Sequence, residues 1–306
     1  MKVAILGGTG FLGCYLVDTL ISHGHRPALL VRPGSQDKVY RATQCDWTPG
    51  GLQEEDTLRR VFSGCEAVIY NIGILREFPR QGITFESLQY AGARRAMDVA
   101  ASLDIARFLL TSANGVKPDG TPYQRTKYRA EEYLVASGLA GTVFRPSVIF
   151  GDPRGRMEFA TRLRDDIIRP PLPAPLFHEG LLPMNAGRFR MSPIHVKDVA
   201  EIYARALEDP EAVGKMYPLC GPDALEWRTI IKTIGRAVGQ NKWTVPVPVF
   251  PLRMAATLLD RSPDFPLTRD QLTMLLEGNT GDSSPVFAAY GIEPTAFDED
   301  SLSYLR

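Results

Sequence analysis

Near its start the chain reads Val3-Ala4-Ile5-Leu6 and then Gly7-Gly8-Thr9-Gly10-Phe11-Leu12-Gly13, an apolar run leading directly into three glycines spaced three apart. A helical pattern comes next, with Leu12, Leu16 and Leu20 beside Tyr15 and Thr19 on one stripe and Gly24 where a helix would stop. Glycines in this arrangement serve a strand that must turn straight into a helix packed against it. Gly7 makes the tight turn, Gly10 keeps a Cβ out of the way of a phosphate, and Gly13 lets helix and strand approach. The helix N-terminus created in this way presents free N–H groups and the positive end of a dipole, a setting for a diphosphate. Gly7, Thr9, Gly10, Phe11, Leu12 and Gly13 are therefore the candidate residues around the phosphates of a dinucleotide.

The strand–helix rhythm repeats through the first half of the chain. Apolar runs at 27–31, 67–70, 108–111 and 142–144 alternate with helical patterns at 92–102 and 123–137. That order predicts an α/β fold, a Rossmann-type doubly wound parallel sheet. From Gly151 the texture changes: Pro153, Pro170, Pro171, Pro173, Pro175 and Pro183 exclude the segment from a central sheet. A helical pattern returns at 196–207, with Asp198 placed to cap its first turn. The expected division is a nucleotide-binding domain over 1–150, rejoined by 190–219, and a smaller C-terminal substrate-binding lobe over 151–189 and 220–306.

At 306 residues the chain can bury a large core, and its 35 basic and 35 acidic side chains cancel. A balanced charge gives no field to draw nucleic acid, so a small-molecule substrate is the expected partner. The cysteines Cys14, Cys45, Cys65 and Cys220 lie far apart, and His23, His25, His178 and His195 show no ligand spacing, so neither a disulfide framework nor a metal site is expected. No apolar stretch approaches the ~20 residues of a bilayer span, and no leader is evident, so the expected setting is cytoplasmic.

Specificity and chemistry rest on a few further positions. Arg32 ends the second strand about 20 residues beyond the loop, where an acid would bind the ribose hydroxyls of NAD. An arginine there suits a 2′-phosphate and favours NADP(H), with NAD(H) the alternative if Arg32 is simply a solvated surface residue. Asp46, read as the end of a third strand, is a candidate acceptor for the adenine amino group, or else a turn or cap aspartate. Asn71, Ile72 and Gly73 come after the fourth strand, where the glycine lets the backbone run beside a cofactor. Thr111 and Ser112 close an apolar strand. Thr121-Pro122 opens a helix that carries Tyr123 and Lys127 at i and i+4, on one face. A phenol needs help to exchange a proton at neutral pH, and a neighbouring ammonium is expected to lower its pKa. Ser112 is then placed to orient a carbonyl beside it, unless it is an ordinary strand-end serine.

The combination of the glycine loop, Ser112, Tyr123-x-x-x-Lys127 and Phe144-Arg145-Pro146-Ser147-Val148-Ile149-Phe150-Gly151 resembles the extended and atypical short-chain dehydrogenase/reductases. Pro122 to Lys127 with Ala130-Glu131-Glu132, Ser192 to Ala200, and Pro266 to Leu272 are similar to the branch that holds the nucleotide-binding accessory subunit of respiratory complex I and its bacterial relatives. The resemblance spans nearly the whole chain. It implies Tyr123 as proton donor or acceptor, Lys127 as its electrostatic partner and ribose anchor, Ser112 as carbonyl orienter, and Pro146, Ser147 and Val148 passing beside the nicotinamide. Two departures stand out: the stretch from Ser112 to Tyr123 is short, and Leu6 occupies a position where many relatives have threonine.

Three readings of function are open to such a chain. The first is an oxidoreductase moving hydride between NADP(H) and a carbonyl or alcohol. The second is a nucleotide-stabilised structural or assembly subunit of a respiratory or quinone-related membrane complex, peripheral to the inner membrane. The third is an NADP(H) redox sensor. A Ser–His–Asp hydrolase built on Ser112 or Ser147 with His195 lacks a Gly-x-Ser-x-Gly elbow, and His195 reads as structural. The proline-rich stretch 169–184, with Leu172, Leu176, Phe177, Leu181 and Leu182, and residues 249–259 add apolar surface beyond the sheet. It can pack onto the sheet, line a pocket for a bulky apolar substrate or lipid, or meet a membrane-bound partner.

Overall fold

The computed structural model describes residues 1–180, 182–251, 253–254 and 269–306. Leu181, much of the 249–259 stretch and residues 266–268 of the motif at 266–272 lie outside these residues.

The chain divides into two units. The first comprises Met1–Pro146, Val196–Leu219 and Ser284–Ile292. Its centre is a seven-stranded parallel sheet built from β1 (Lys2–Leu6), β2 (Arg26–Val31), β3 (Asp46–Pro49), β4 (Ala67–Tyr70), β5 (Arg107–Thr111), β6 (Ala140–Pro146) and β11 (Met216–Leu219). Their order across the sheet is β3-β2-β1-β4-β5-β6-β11. Strands β1, β2 and β4 are buried almost throughout, as a sheet covered by helices on both faces requires. The covering helices include α1 (Phe11–Ser22), α2 (Glu55–Phe62), α3 (Gly92–Ser102), α4 (Pro122–Ala136) and α6 (Val196–Glu208). The order reverses between β1 and β4, the position at which open α/β sheets bind ligands beyond their carboxyl ends.

The core on one side of this sheet joins Leu6, Leu30, Leu58, Phe62, Tyr70, Met97, Phe108 and Leu134. Arg107 ties β5 to its neighbours. Its guanidinium donates to the Ala140 carbonyl and the Thr142 hydroxyl of β6, both at 2.8 Å, and to the Leu207 and Ala206 carbonyls at 3.2 and 2.5 Å. The last two are carbonyls near the end of α6, which have no partner within the helix.

The second unit comprises Ser147–His195, Cys220–Ser283 and Glu293–Arg306. It holds the short strands β7 (Ile149–Phe150), β8 (Ala174–His178), β9 (Arg190–Met191), β10 (Ile194–His195), β12 (Leu225–Glu226) and β13 (Thr244–Pro248), paired two by two, with α5 (Phe159–Leu163) and α7 (Trp227–Ala237). Its own core gathers Phe150, Ile168, Trp227, Ile230, Ile231, Ile234 and Leu302. His195 packs edge-on against Phe150 at 5.1 Å. The proline-rich segment does form a strand, β8, paired only with the equally proline-rich β13.

Four details differ from the sequence expectation. Residues 147–150 and 190–195, expected in the nucleotide-binding domain, belong to the second unit. Helix Ser284–Tyr290 belongs to the first unit, which the pattern beyond residue 220 did not suggest. Asp198 lies inside the first turn of α6 rather than ahead of it, where it still favours the positive end of the dipole. Residues 42–44 form a 3-10 turn, and β3 starts at Asp46 instead of ending there. As the edge strand, β3 alternates half-buried and exposed residues, so it lacks the apolar run that marks a central strand.

Replacing Arg107 by Leu leaves the carbonyls near the end of α6 without their donor. Loss of about 1–3 kcal/mol of stability is expected in urea unfolding, with the sheet otherwise intact by circular dichroism.

Candidate active site

Gly7 adopts φ +97°, a conformation L side chains rarely take, and a Cβ there would run into the Asn71 carbonyl. A Cβ on Gly13 would overlap the Gly7 carbonyl and stand 2.7 Å from the Gly8 Cα. Both glycines are thus imposed by backbone lying against backbone. The Gly10 N–H donates to the Gly7 carbonyl at 3.1 Å, closing the turn, and the Gly10 carbonyl accepts from the Cys14 N–H at 3.0 Å as α1 begins. Gly10 is the N-cap of α1, with no side-chain acceptor, and the first turn carries no acidic residue. By contrast, α4 starts with a complete capping box and α2 carries Glu55 and Asp56 in its first turn. Only α1 of these three leaves its amino end open to an outside anion, which fits a dinucleotide diphosphate.

Arg32 directly follows β2, is exposed, and stands at the same carboxyl edge of the sheet as Gly7. Asn71 follows β4, where its N–H donates to the Leu6 carbonyl at 2.8 Å. Asp46 is elsewhere. It pairs with Arg26 at 2.6 Å and with Lys2 at 3.3 Å, at the amino ends of β2 and β1, so a role at the adenine does not match its place in the sheet. These cations hold its carboxyl below the usual range, Arg26 contributing most. The residues at the carboxyl end of β3 are instead Gly50, Gly51 and Leu52, with the Gly50 N–H bonded to the Val31 carbonyl at 3.0 Å. The Gly50-Gly51 pair was the available signal, masked by the misplaced strand.

Helix α4 starts as its sequence demands. Thr121 accepts from the Gln124 N–H at 3.3 Å, Gln124 Oε1 accepts from the Thr121 N–H at 2.8 Å, and Pro122 occupies the first turn. Gln124 also donates to the Gly115 carbonyl at 3.0 Å, fastening the connection from β5. One turn on, Lys127 Nζ is 3.0 Å from the Thr111 carbonyl, 5.7 Å from the centre of the Tyr123 ring, and 3.6 Å from where a Cβ on Gly73 would stand. The structure therefore brings Gly73, Thr111, Tyr123 and Lys127 around one buried ammonium. Thr111 also shares a 2.7 Å hydrogen bond with the Tyr203 hydroxyl of α6, a residue no sequence pattern singled out.

Burial pulls the Lys127 ammonium down to about 8 from the usual 10.5, partly opposed by the Glu131 carboxylate one turn further along. Glu131 is itself buried and bound by Arg145 at 2.9 and 2.5 Å. Burial pushes the Tyr123 phenol up, the reverse of the lowering expected from its lysine neighbour. Loss of water outweighs the ammonium 5.7 Å from the ring. Phe85 contributes to that exclusion, standing edge-on to the Tyr123 ring at 5.7 Å.

Ser112 donates its N–H to the Phe144 carbonyl at 2.7 Å, and its hydroxyl is buried with no hydrogen-bond partner among the described residues. Pro146 ends β6, where its carbonyl accepts from the Asn114 N–H at 2.9 Å. Ser147 and Val148 belong to the second unit, bonded there to the Asn279 carbonyl and the Ile194 N–H.

Residues 3–220 match the NAD dependent epimerase/dehydratase family. The chain belongs to that family. Among its relatives, the mitochondrial NADH-ubiquinone oxidoreductase 40 kDa subunit of Neurospora crassa is 24% identical over 99% of this chain and 78% of its own length. A ceramide reductase of Caulobacter vibrioides is 26% identical over 84% of this chain and 77% of its own. The Thermus thermophilus UDP-glucose 4-epimerase, solved in complex with NAD, superposes with a TM-score of 0.74 at 17% identity, covering 100% of this chain and 97% of that one. Family membership and the shared fold make this an epimerase/dehydratase-type Rossmann protein of an NAD(P)-dependent family. No helix among the described residues is long and apolar enough to cross a membrane.

The depressed value of Lys127 has a sign that can be measured. Between about pH 8 and pH 10.5 the unfolded chain still holds a proton that the folded protein has released, so this group makes stability rise with pH across that window. Below pH 8 the full penalty for the buried charge applies. Lys127→Met should remove this rise, seen as a flatter plot of unfolding free energy against pH than that of the parent protein.

Proposed function

We propose that the protein is an NADP(H)-dependent reductase or dehydrogenase acting on a carbonyl or alcohol carbon. The observation that carries this reading is the buried Ser112 hydroxyl without a partner, at the carboxyl end of β5. An unsatisfied buried hydroxyl costs about 1–3 kcal/mol, a cost with a purpose if a ligand oxygen completes it.

Residues Gly7 to Gly13 would hold the diphosphate on the open end of α1, Arg32 the 2′-phosphate, Asn71 to Gly73 the adjoining backbone, and Lys127 the nicotinamide ribose. Gly50 to Leu52 replace Asp46 as the residues proposed for the adenine side, and Pro146, Ser147 and Val148 stay as proposed neighbours of the nicotinamide. When bound, the nicotinamide nucleotide would supply or accept the hydride. Ser112 donates to the carbonyl oxygen and fixes its direction, while Tyr123 delivers a proton to that oxygen in reduction or takes it in oxidation. Lys127, held by the Thr111 carbonyl, opposes negative charge on the phenol as the proton leaves. Burial keeps the phenol protonated beforehand, which suits the reductive direction. The ceramide reductase among the relatives supports a bulky apolar substrate.

A second reading has its own support. The NADH-ubiquinone oxidoreductase 40 kDa subunit matches over 99% of this chain, which favours a nucleotide-stabilised subunit or assembly role beside a membrane complex. Co-purification with such a complex, by a Tyr123→Phe variant as readily as by the parent protein, would favour it.

For the enzyme, Tyr123→Phe should lower kcat by roughly 10²–10⁴-fold with nucleotide binding retained; unchanged turnover removes the mechanism. Ser112→Ala should slow turnover while leaving the melting temperature equal or higher, since the hydroxyl makes no bond among the described residues. Arg32→Glu should weaken NADPH binding about tenfold to a hundredfold and spare NADH, as loss of a charge-assisted contact predicts. Equal affinity of the parent protein for both nucleotides would defeat the NADP(H) preference.

A further inference from the structure

The second unit exposes apolar side chains of a size that proteins normally bury. Trp243 is 80% exposed, Met184 77%, Phe250 73%, Leu172 70% and Leu182 68%. They belong to one neighbourhood. The Ala174 N–H donates to the Trp243 carbonyl at 2.7 Å where β8 and β13 begin to pair, two residues past Leu172. The turn Pro183–Asn185, preceded by Leu182 and containing Met184, packs against both strands, and Phe250 follows β13 by two residues.

Two observations select what this surface meets. The first concerns strand addition. Among the described residues strand β13 is paired on one side only, and the bond from Ala174 to Trp243 makes Val245 and Val247 the residues whose N–H groups face β8. Pro246 and Pro248 therefore stand where outward N–H groups would be, and proline has none to offer. A protein strand cannot extend the β13 edge through those positions, and on the β8 edge the outward carbonyls of Pro175 and Phe177 already accept from the Trp227 indole and the Gly187 N–H, which leaves apolar burial without direction.

The second is charge. Residues 170–190 and 242–254 carry Arg188, Arg190, Lys242 and Arg253; Arg253 pairs with Glu179 at 3.5 Å and Arg190 with Glu226 at 3.9 Å, which leaves a local excess of two positive charges (4 − 2) in a chain whose total is zero. Lys242 is fixed beside the patch, donating to the Ile168 carbonyl at 3.0 Å and to that of Pro170. Exposed tryptophan, phenylalanine and leucine beside an excess of basic residues match the boundary between headgroups and acyl chains of an anionic bilayer.

We infer that the surface formed by Leu172, Leu182, Met184, Trp243 and Phe250 is a monotopic docking site for an anionic lipid membrane, which holds the protein at the bilayer surface. The inference stands apart from the catalytic reading, because none of these residues is assigned to nucleotide binding or proton transfer.

The test is co-sedimentation of the full chain with vesicles of phosphatidylcholine alone and of equimolar phosphatidylcholine and phosphatidylglycerol. Tryptophan emission is followed in a Trp47→Phe background, where Trp227 is buried and Trp243 is the exposed indole, with brominated acyl chains as quencher and Trp47→Phe/Trp243→Phe as the reference for the Trp227 component. Binding to the anionic vesicles at low salt is expected, weakening as salt is raised, with emission moving to shorter wavelength and being quenched. Trp243→Ser combined with Phe250→Ser should lower partition by about tenfold or more, with nucleotide binding unchanged. Val135→Ser, at an exposed apolar residue of the first unit, should have no effect. Absence of binding to anionic vesicles, or binding indifferent to the double substitution, overturns the inference. Self-association abolished by the double substitution without vesicle binding would also overturn it and assign the patch to a second copy of the chain.

Discussion

Where α1 leaves the sheet, the Gly13 Cα is so near the Gly7 carbonyl and Gly8 that a single methyl group has no room. This contact, made wholly of backbone, fixes the angle and depth of the helix against β1. It brings the open amino end of α1 to the reversal point of the sheet, and the carboxyl ends of β2, β4 and β5 face the same side because all the strands run parallel. Arg32, Asn71 and Ser112 are therefore set at one edge by strand direction alone. Their chemistry differs, but a common geometric cause places them.

The second constraint is a buried cation. Lys127 is kept in the core by one backbone carbonyl and by a carboxylate one turn away, itself clamped by Arg145. Such an ammonium is expensive, since it gives up water for few partners. The same side chain is valuable when negative charge develops nearby, so stability and chemistry pull in opposite directions at this residue. The phenol on the same helix face shows the other half of the balance. Desolvation dominates it until a ligand alters its surroundings.

The sequence carried those parts of the fold that depend on short-range rules. The glycine loop, the Thr121 cap, the stop at Gly24 and the Tyr123–Lys127 face all arise from local geometry, and the observed elements agree. Strand β3 was misread because edge position removes the apolar run on which strand recognition relies, and the error carried Asp46 to the wrong end of the sheet. Tyr203 was invisible for another reason. It reaches Thr111 from α6, 92 residues away, and no periodicity encodes a contact of that kind. The expectation of a lowered phenol pKa failed because spacing reports neighbours and says nothing about how much water they exclude.

The Gln124 side chain closes the Thr121 cap and at the same time grips the Gly115 carbonyl. The short connection between β5 and α4 is thereby cinched at its middle as well as at its end. Serine and tyrosine are set by a common brace, and little freedom remains for ligand arrival to freeze out. A connection of this kind makes poor ground for natural insertions, so diversification of what the protein accepts is channelled toward segments that are not so tied down.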